Sequence, residues 1–251
     1  MTSVRTKSVP RRHRLVPGHP FRRYTDPLPM RDFDDYDEYW EHRGGEPIVH
    51  PRWEIAIGKI PEGATVLDVG CGAGGFLSYL RAVRPDIQAR GVDISEAAVR
   101  RARAAGNDVV CADLTREPVP GTYDYITCFE VIEHIADAET VLGHLRCACR
   151  NRLVMSLPNI GFIDHRIRLA LFGRFPNTNL KFHVKEHVRH WTVRDFTDWT
   201  EHYGLDVVSV QGQYGSRKVP WKRYPGLFAR QLVYVLEPVA YSGGTARQES
   251  S

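Results

Sequence analysis

Cysteine is scarce in this chain, and its few cysteines form no recognisable pattern. There are 5, an odd number, and no two are spaced as a CxxC motif. Cys147 and Cys149 are too close in sequence for a native disulfide bond, so the cysteines do not indicate a disulfide framework. We therefore expect reduced thiols and a cytoplasmic location.

Long apolar runs are also absent. No uninterrupted apolar stretch reaches the length that crosses a bilayer, and the basic beginning of the chain lacks the apolar core of a signal peptide. The sequence therefore predicts a soluble protein with no membrane partner.

Acidic residues are missing before Asp26, although the formal net charge of the whole chain is only +4. This basic segment is interrupted by prolines and has no apolar periodicity, which is typical of a solvated tail. A basic arm also suits contact with nucleic acid or an acidic partner. We expect a flexible arm over residues 1–30, one domain over 31–240 and a flexible tail over 241–251.

Short apolar segments alternate with amphipathic ones from Thr65 onwards. The segments TVLDVG, QARGVDI, DVVCADL, YDYITCF, RLVMSLP, LDVVSVQG and QLVYVLEP predict seven strands, with helices between most of them. This alternation is typical of an α/β fold: a Rossmann-like, mostly parallel seven-stranded sheet with helices on both faces. Ser95 is a predicted helix N-cap, and Thr192 with Asp195 predicts a capping box.

One segment departs from the alternation. Residues 159–191 follow the fifth strand, are rich in Arg, His and Phe, and are longer than an ordinary connection. We expect this segment to form a substrate lid, together with an acidic, aromatic helix around Tyr36 to Trp40.

A glycine-rich loop, VLDVGCGAGGF, follows the first predicted strand. Gly70, Gly72 and Gly74 allow a tight turn and leave the backbone open to a ligand at the start of the next helix. Acids stand nearby: Asp68 precedes the loop, and Asp93 ends the second strand about twenty residues past the first glycine, a position suited to ribose hydroxyls. A cofactor is therefore expected at the carboxyl ends of the strands.

The glycine spacing is G-x-G-x-G, which differs from the dinucleotide pattern G-x-G-x-x-G and disfavours a nicotinamide cofactor. Together with GVDIS and CADL downstream, the loop resembles motif I of the class I S-adenosylmethionine-dependent methyltransferases, from Val66 to about Leu157. The strings EVIEHI and EHVRHWTVRDF resemble the subgroup that contains the MetW-like proteins and many small-molecule methyltransferases.

The resemblance implies a role for each residue around the cofactor. The loop residues would wrap its amino-acid part, and Asp68 would act on the methionine ammonium. Asp93 would hold the ribose, Ile94 next to it would also contact the cofactor, and Asp113 with Leu114 would line the adenine. Phe129 and Glu130 would border the methionine end. The loop residues are Gly70, Cys71, Gly72 and Gly74, with Cys71 a small filler rather than a nucleophile. A turn or helix-cap role for Asp113 stays open.

Three interpretations are open for Glu130, Glu133 and His134 in FEVIEHI. They form architecture around the cofactor, or His134 is a general base, or they bind a divalent metal. The metal interpretation comes from a second resemblance, to small-RNA 3′-end 2′-O-methyltransferases and some ubiquinone-pathway O-methyltransferases. There His187 would complete a set of two carboxylates and two imidazoles.

The expected function is methyl transfer from S-adenosylmethionine to an oxygen or nitrogen of a small molecule, in a bacterial biosynthetic pathway. An RNA 2′-O-methyltransferase with a divalent metal and a non-catalytic, MetW-like regulatory partner are the alternatives. No RNA-binding module is recognisable, so we expect no nucleic-acid partner. The sequence predicts neither the acceptor nor an oligomeric state.

Overall fold

A computed structural model describes residues 35–41, 48–176, 186–215 and 222–239, and within them seven strands form one sheet. The strands are β1 Thr65–Val69, β2 Gln88–Asp93, β3 Val109–Cys111, β4 Tyr123–Phe129, β5 Cys149–Pro158, β6 Leu205–Gln213 and β7 Gln231–Pro238. Their order is β3-β2-β1-β4-β5-β7-β6. The first five strands are parallel, and β7 is antiparallel to both β5 and β6. The predicted α/β fold class is confirmed.

Helices connect and cover the strands. They are α1 Tyr36–Glu41, α2 Pro51–Ile57, α3 Gly75–Val83, α4 Glu96–Ala104, α5 Ala138–Ala148, α6 Ile163–Phe172, α7 Val193–His202 and α8 Pro225–Phe228. A 3₁₀ turn spans Ile132–His134. The predicted caps are present: the Ser95 hydroxyl accepts from the Ala98 N–H, and Thr192 and Asp195 form a reciprocal capping box.

Both faces of the sheet are buried. On one face, α5 and α7 pack against the largest apolar cluster, which includes Leu142, Leu145, Phe196 and Tyr234. On the other face, α2 and α3 contribute to a second cluster around Trp53. This two-sided burial explains why the strand segments are nearly continuous apolar runs.

The carboxyl ends of the five parallel strands meet at one edge of the sheet, which we call the carboxyl edge. The glycine loop after β1 lies there, as do Asp93 at the end of β2 and Glu130 directly after β4. The antiparallel pairing brings the first residue of β7, Gln231, and the last of β6, Gln213, to the same edge, where they pair with each other. Ligand sites of open α/β sheets lie at this edge.

Some predicted boundaries differ from the observed ones. The strand predicted over DVVCADL ends at Cys111, because the Asp113 carboxylate accepts hydrogen bonds from the backbone and hydroxyl of Thr115 and turns the chain. The predicted arm (1–30), the tail (241–251) and part of the predicted lid (177–185) lie outside the described residues. None of the helices in the described ranges has the length and apolar character needed to cross a lipid bilayer.

Phe196 is the aromatic centre of the larger core. Its side chain is fully buried, and its ring lies 4.4 Å from that of Tyr234 and 5.6 Å from that of Trp191, between centroids. We predict that Phe196→Ala lowers the free energy of unfolding by about 3–5 kcal/mol, because it removes buried area and leaves a cavity. Denaturant unfolding measures this. Leu171→Ala, at a side chain that is largely exposed, is the control and should change it little; similar losses in both variants would contradict this core.

Candidate functional site

A cavity of about 320 Å³ opens at the carboxyl edge, over the ends of β1 to β4. Its wall contains six residues that the sequence assigned to a cofactor: Gly70, Asp93, Ile94, Asp113, Leu114 and Glu130. Tyr36, Tyr39 and Trp40 of α1 also line it. The sheet topology therefore assembles most of the predicted site, and α1 covers it.

The glycine positions of the loop have no room for a side chain. Gly70 and Gly72 have φ angles of 65° and 53°, in the left-handed region that L-residues rarely adopt. A Cβ on Gly70 would lie 2.2 Å from Val131, and one on Gly72 would lie 2.3 Å from the Trp40 ring. Gly74, at the N-cap of α3, packs instead against Asn107. The loop thus needs glycine for conformation and for close approach.

Asp93 ties the glycine loop to the start of α4. Its two carboxylate oxygens accept hydrogen bonds from the Gly72 N–H at 2.8 Å and the Ser95 N–H at 2.9 Å. Burial raises the pKa of this carboxyl, and the two backbone bonds oppose the rise. Each oxygen keeps a further lone pair, so the carboxylate can also accept from hydroxyl groups in the cavity.

Helix α1 is held over the cavity by polar contacts with α4. The Asp37 carboxylate accepts from the Ser95 hydroxyl at 2.5 Å and from the Ala97 N–H at 3.0 Å. At the other end of α1, the Trp40 carbonyl accepts from the Arg101 guanidinium at 2.6 Å. These bonds fix Trp40 and Tyr36 at the cavity wall.

Asp113 combines the two roles that the sequence left open. Its carboxylate accepts from the backbone N–H and the hydroxyl of Thr115, and these bonds lower its pKa. It also lines the cavity, next to the buried Leu114. Asp113 is therefore a turn residue that stands in the wall of the site.

Three predicted cofactor residues lie behind that wall. Asp68 is buried and accepts from the Thr127 hydroxyl at 2.7 Å, and burial raises its pKa to about 7. Cys71 is buried in a small apolar cluster, where burial raises the pKa of its thiol. Phe129 stacks edge-on against Phe76, with 5.1 Å between ring centroids. Their contact with a cofactor stays a prediction.

Glu133, His134 and His187 form a compact cluster beside the cavity. The first two lie on the 3₁₀ turn after β4, and His187 precedes α7. The Glu133 carbonyl accepts from the Val188 and Arg189 N–H groups at 2.9 and 3.1 Å, which joins the two segments. One potential ligand atom from each cluster residue lies within 4.8 Å of the other two.

The hydrogen bond of His134 determines which ring nitrogen faces the cluster. Its Nδ1 bonds to the Glu186 carbonyl oxygen, which only accepts, so Nδ1 carries the hydrogen. In the neutral imidazole the lone pair is then on Nε2, which lies 3.9 Å from a carboxylate oxygen of Glu133. A histidine that binds a metal typically donates its second N–H to a carbonyl in this way.

Glu133 is only 1% exposed, and among the described residues neither of its carboxylate oxygens accepts a hydrogen bond. Burial raises its pKa well above the ordinary value. Burial also lowers the pKa of His187 to about 3, so this imidazole is neutral. A buried carboxylate beside two imidazoles is costly unless a cation or a proton lies between them, and the donor set suits a divalent cation.

Glu130 does not join this cluster. Its carboxylate accepts from the Ser156 hydroxyl at 2.9 Å and from the Gln231 side-chain amide at 2.7 Å. Its backbone has a φ of 56°, unusual for a residue with a side chain. The structure therefore groups three of the four predicted metal ligands. Ser156 and Gln231 were missed, because they are single polar residues within apolar strand segments.

Comparisons with known proteins agree with this geometry. A family model described as a methyltransferase domain matches residues 39–210. A ubiquinone biosynthesis O-methyltransferase of Cupriavidus pinatubonensis is 30% identical over 219 residues, which cover 78% of this chain and 84% of that protein. One from Pseudomonas paraeruginosa is 39% identical over 117 residues, 41% of this chain and 50% of that one. A similar relative from Bordetella parapertussis is 35% identical over 118 residues, which cover 41% of this chain and 48% of that protein. The chain thus spans about half the length of the latter two relatives.

Solved structures show the same fold. An S-adenosylmethionine-dependent methyltransferase from Clostridium acetobutylicum matches with a TM-score of 0.56 at 15% identity, covering 77% of this chain and 93% of that one. The small RNA methyltransferase HEN1 matches with a TM-score of 0.57 at 24% identity, covering 78% of this chain and 26% of that one.

Asp93 gives a direct test of the cavity. We predict that Asp93→Ala weakens the binding of S-adenosylhomocysteine by about 1.5–3 kcal/mol, the value of hydrogen bonds to a charged group. Calorimetric titration measures this. Asp108→Ala, which removes a carboxylate with an exposed side chain from the opposite edge, should bind as the wild type does. Binding of NAD by a wild type that ignores S-adenosylmethionine would contradict the assignment.

Proposed function

The chain belongs to the methyltransferase domain family, and from this premise we propose that it transfers the methyl group of S-adenosylmethionine to an oxygen or nitrogen of a small molecule. The observation that carries the proposal is the cavity at the carboxyl edge, with a loop whose glycines leave no room for a Cβ and with the buried Asp93 carboxylate. The relatives named as ubiquinone biosynthesis O-methyltransferases support an oxygen acceptor in a biosynthetic pathway.

The residues present fit this cofactor. Asp93 keeps lone pairs for the ribose hydroxyls, and Ile94 and Leu114 give apolar contact for the adenine. The glycine loop and Glu130 border the remaining end of the cavity. When bound, the cofactor supplies an activated methyl group, so the protein mainly has to align the acceptor and exclude water. Helix α1 supports both tasks, because it covers the cavity with three aromatic side chains.

We further propose that Glu133, His134 and His187 bind a divalent cation next to the acceptor. The supporting observation is the buried Glu133 carboxylate, which accepts no hydrogen bond from the described residues and faces the lone pair of His134. A bound cation would hold two neighbouring acceptor oxygens and lower the pKa of the one that attacks. The set therefore favours an acceptor with adjacent hydroxyls, such as a catechol.

Two other functions are distinguished by their products. An RNA acceptor also offers neighbouring hydroxyls at its 3′ end, and the fold shared with HEN1 is compatible with it. A regulatory partner would bind the cofactor and yield no methylated product. Incubation with 3,4-dihydroxybenzoate or with a short RNA, followed by mass spectrometry, separates the three.

Metal removal tests the cluster. We predict that a chelator abolishes methyl transfer to 3,4-dihydroxybenzoate, that Mg²⁺ or Mn²⁺ restores it, and that S-adenosylhomocysteine binding survives. His187→Ala should reproduce the loss in turnover and should also lose Mn²⁺ binding in equilibrium dialysis. His202→Ala, at an exposed position on α7, is the control and should keep both its turnover and its Mn²⁺ binding.

Full activity in the chelator would eliminate the metal. A loss of turnover in His134→Ala would then assign this residue as the general base, since its Nε2 carries the lone pair. Near-normal turnover would leave the cluster as architecture around the cofactor.

A further inference from the structure

His187 lies in a segment without regular secondary structure. Residues 187–190 belong to neither a helix nor a strand, and α7 begins only at Val193. Glu133 and His134, the other members of the cluster, lie on the 3₁₀ turn directly after β4. The distances between the three side chains therefore depend on the contacts that join the segment to the turn.

Two of these contacts involve the cluster residues themselves. The Glu133 carbonyl accepts from the N–H groups of Val188 and Arg189, and the His134 ring donates from Nδ1 to the Glu186 carbonyl. These bonds hold the backbone on both sides of His187. A third contact is made by side chains outside the cluster, so it can be removed while all three potential ligands stay in place.

The third contact is made by the side chain of Arg189. Its two terminal nitrogens donate to the two carboxylate oxygens of Glu139, in the first turn of α5, at 2.5 and 2.6 Å. Its Nε donates to the Ala136 carbonyl at 3.1 Å, and one terminal nitrogen donates to the same carbonyl. Both partners follow the 3₁₀ turn closely in the chain. We call this contact the Arg189 clamp.

The clamp fixes orientation as well as distance. A bidentate arginine–carboxylate pair aligns two planar groups, and a single-point ion pair cannot do this. The side chains of Arg189 and Glu139 are 27% and 30% exposed, so water only partly surrounds them. Burial raises the pKa of Glu139, but its hydrogen bonds, first those from Arg189, bring the pKa below its ordinary value. Both groups are therefore charged at neutral pH.

Glu139 is itself anchored to the larger core. The indole N–H of Trp199, on α7, donates to the Glu139 carboxylate at 3.1 Å. The Trp199 ring lies 5.0 Å from that of Trp191 and 5.6 Å from that of Phe196, between centroids. Two packed helices thus determine where the carboxylate stands, and the carboxylate determines where Arg189 stands.

We propose that Arg189 and Glu139 are positioning residues for the divalent cation, because their clamp holds His187 against Glu133 and His134 before the cation binds. This inference rests on the proposed cation site. Arg189 and Glu139 act through the backbone of the His187 segment and are not among the three potential ligands. Ligands that are already in place lose less conformational entropy on binding, so the clamp strengthens cation binding.

Mn²⁺ binding by the full chain, measured by equilibrium dialysis well below the melting temperature, tests the clamp. Arg189→Met keeps the aliphatic stem and removes every guanidinium bond, and we expect it to weaken Mn²⁺ binding by about tenfold or more, as losses of residues that orient metal ligands do. Glu139→Gln keeps the shape and one accepting oxygen, so its loss should be smaller. The double variant should bind Mn²⁺ about as weakly as Arg189→Met, since both changes remove one contact.

A second arginine–glutamate pair provides the matched control. Arg152, near the start of β5, and Glu237, near the end of β7, are 2.6 Å apart and lie at the edge of the sheet opposite the cluster. Arg152→Met should bind Mn²⁺ as the wild type does. Every variant should keep the wild-type affinity for S-adenosylhomocysteine, because a general loosening of the domain would weaken the binding of both ligands.

Arg189→Lys is the second variant if Arg189→Met fails to fold. It keeps the positive charge but cannot form the bidentate contact, so we expect an intermediate loss of Mn²⁺ affinity. With 3,4-dihydroxybenzoate as acceptor, both variants should need more Mn²⁺ for half-maximal turnover and should approach wild-type turnover when Mn²⁺ is saturating.

Three results would overturn the positioning role and leave the cation site standing: wild-type Mn²⁺ affinity in Arg189→Met, an equal loss in Arg152→Met, or a parallel loss of S-adenosylhomocysteine binding. A wild type that binds no Mn²⁺ contradicts the cation site itself, and the positioning role with it. The wild-type measurement therefore distinguishes failure of the proposed cation site from failure of the clamp.

Discussion

The carboxylate of Asp93 is the interaction on which the candidate cofactor site depends. It joins the glycine loop after β1 to the N-terminus of α4, through the N–H groups of Gly72 and Ser95. Ser95 in turn binds Asp37, which holds α1 over the cavity, and Trp40 of α1 then covers Gly72. The glycine loop, the Asp93 carboxylate and helix α1 therefore form one connected unit. The glycines allow these parts to approach closely because they adopt positive φ angles and have no side chain.

Local sequence patterns predicted much of the fold around this site. Strand runs, the cap at Ser95 and the capping box at Thr192 depend on neighbouring residues, so they were visible in the sequence and are present in the structure. The shortened β3 was missed because apolar content overstates the strand length, although a turn at Asp113 is one of the roles that the sequence leaves open. Gln213 and Gln231 meet beside Glu130 because β7 lies between β5 and β6 in the sheet. Residues that are adjacent in space but distant in sequence leave no local signal in the sequence.

The two acids that follow β4, Glu130 and Glu133, have distinct environments, which suits them to distinct roles. Glu130 accepts hydrogen bonds from two neutral donors, whereas neither carboxylate oxygen of Glu133 accepts one from the residues that the structure describes. In surroundings of low polarity, a buried carboxylate without a partner costs free energy, and a bound cation is correspondingly favourable. In the proposed function, the EVIEHI segment therefore borders the cofactor through Glu130 and holds the cation through Glu133 and His134.

A crystal structure of the full chain with S-adenosylhomocysteine and Mn²⁺ tests the central claim most directly. We expect the ribose hydroxyls on the Asp93 carboxylate, beneath Trp40, and an anomalous manganese peak coordinated by Glu133, His134 and His187. A nucleoside bound elsewhere than at the carboxyl edge, with Asp93 contacting only Gly72 and Ser95, would contradict it.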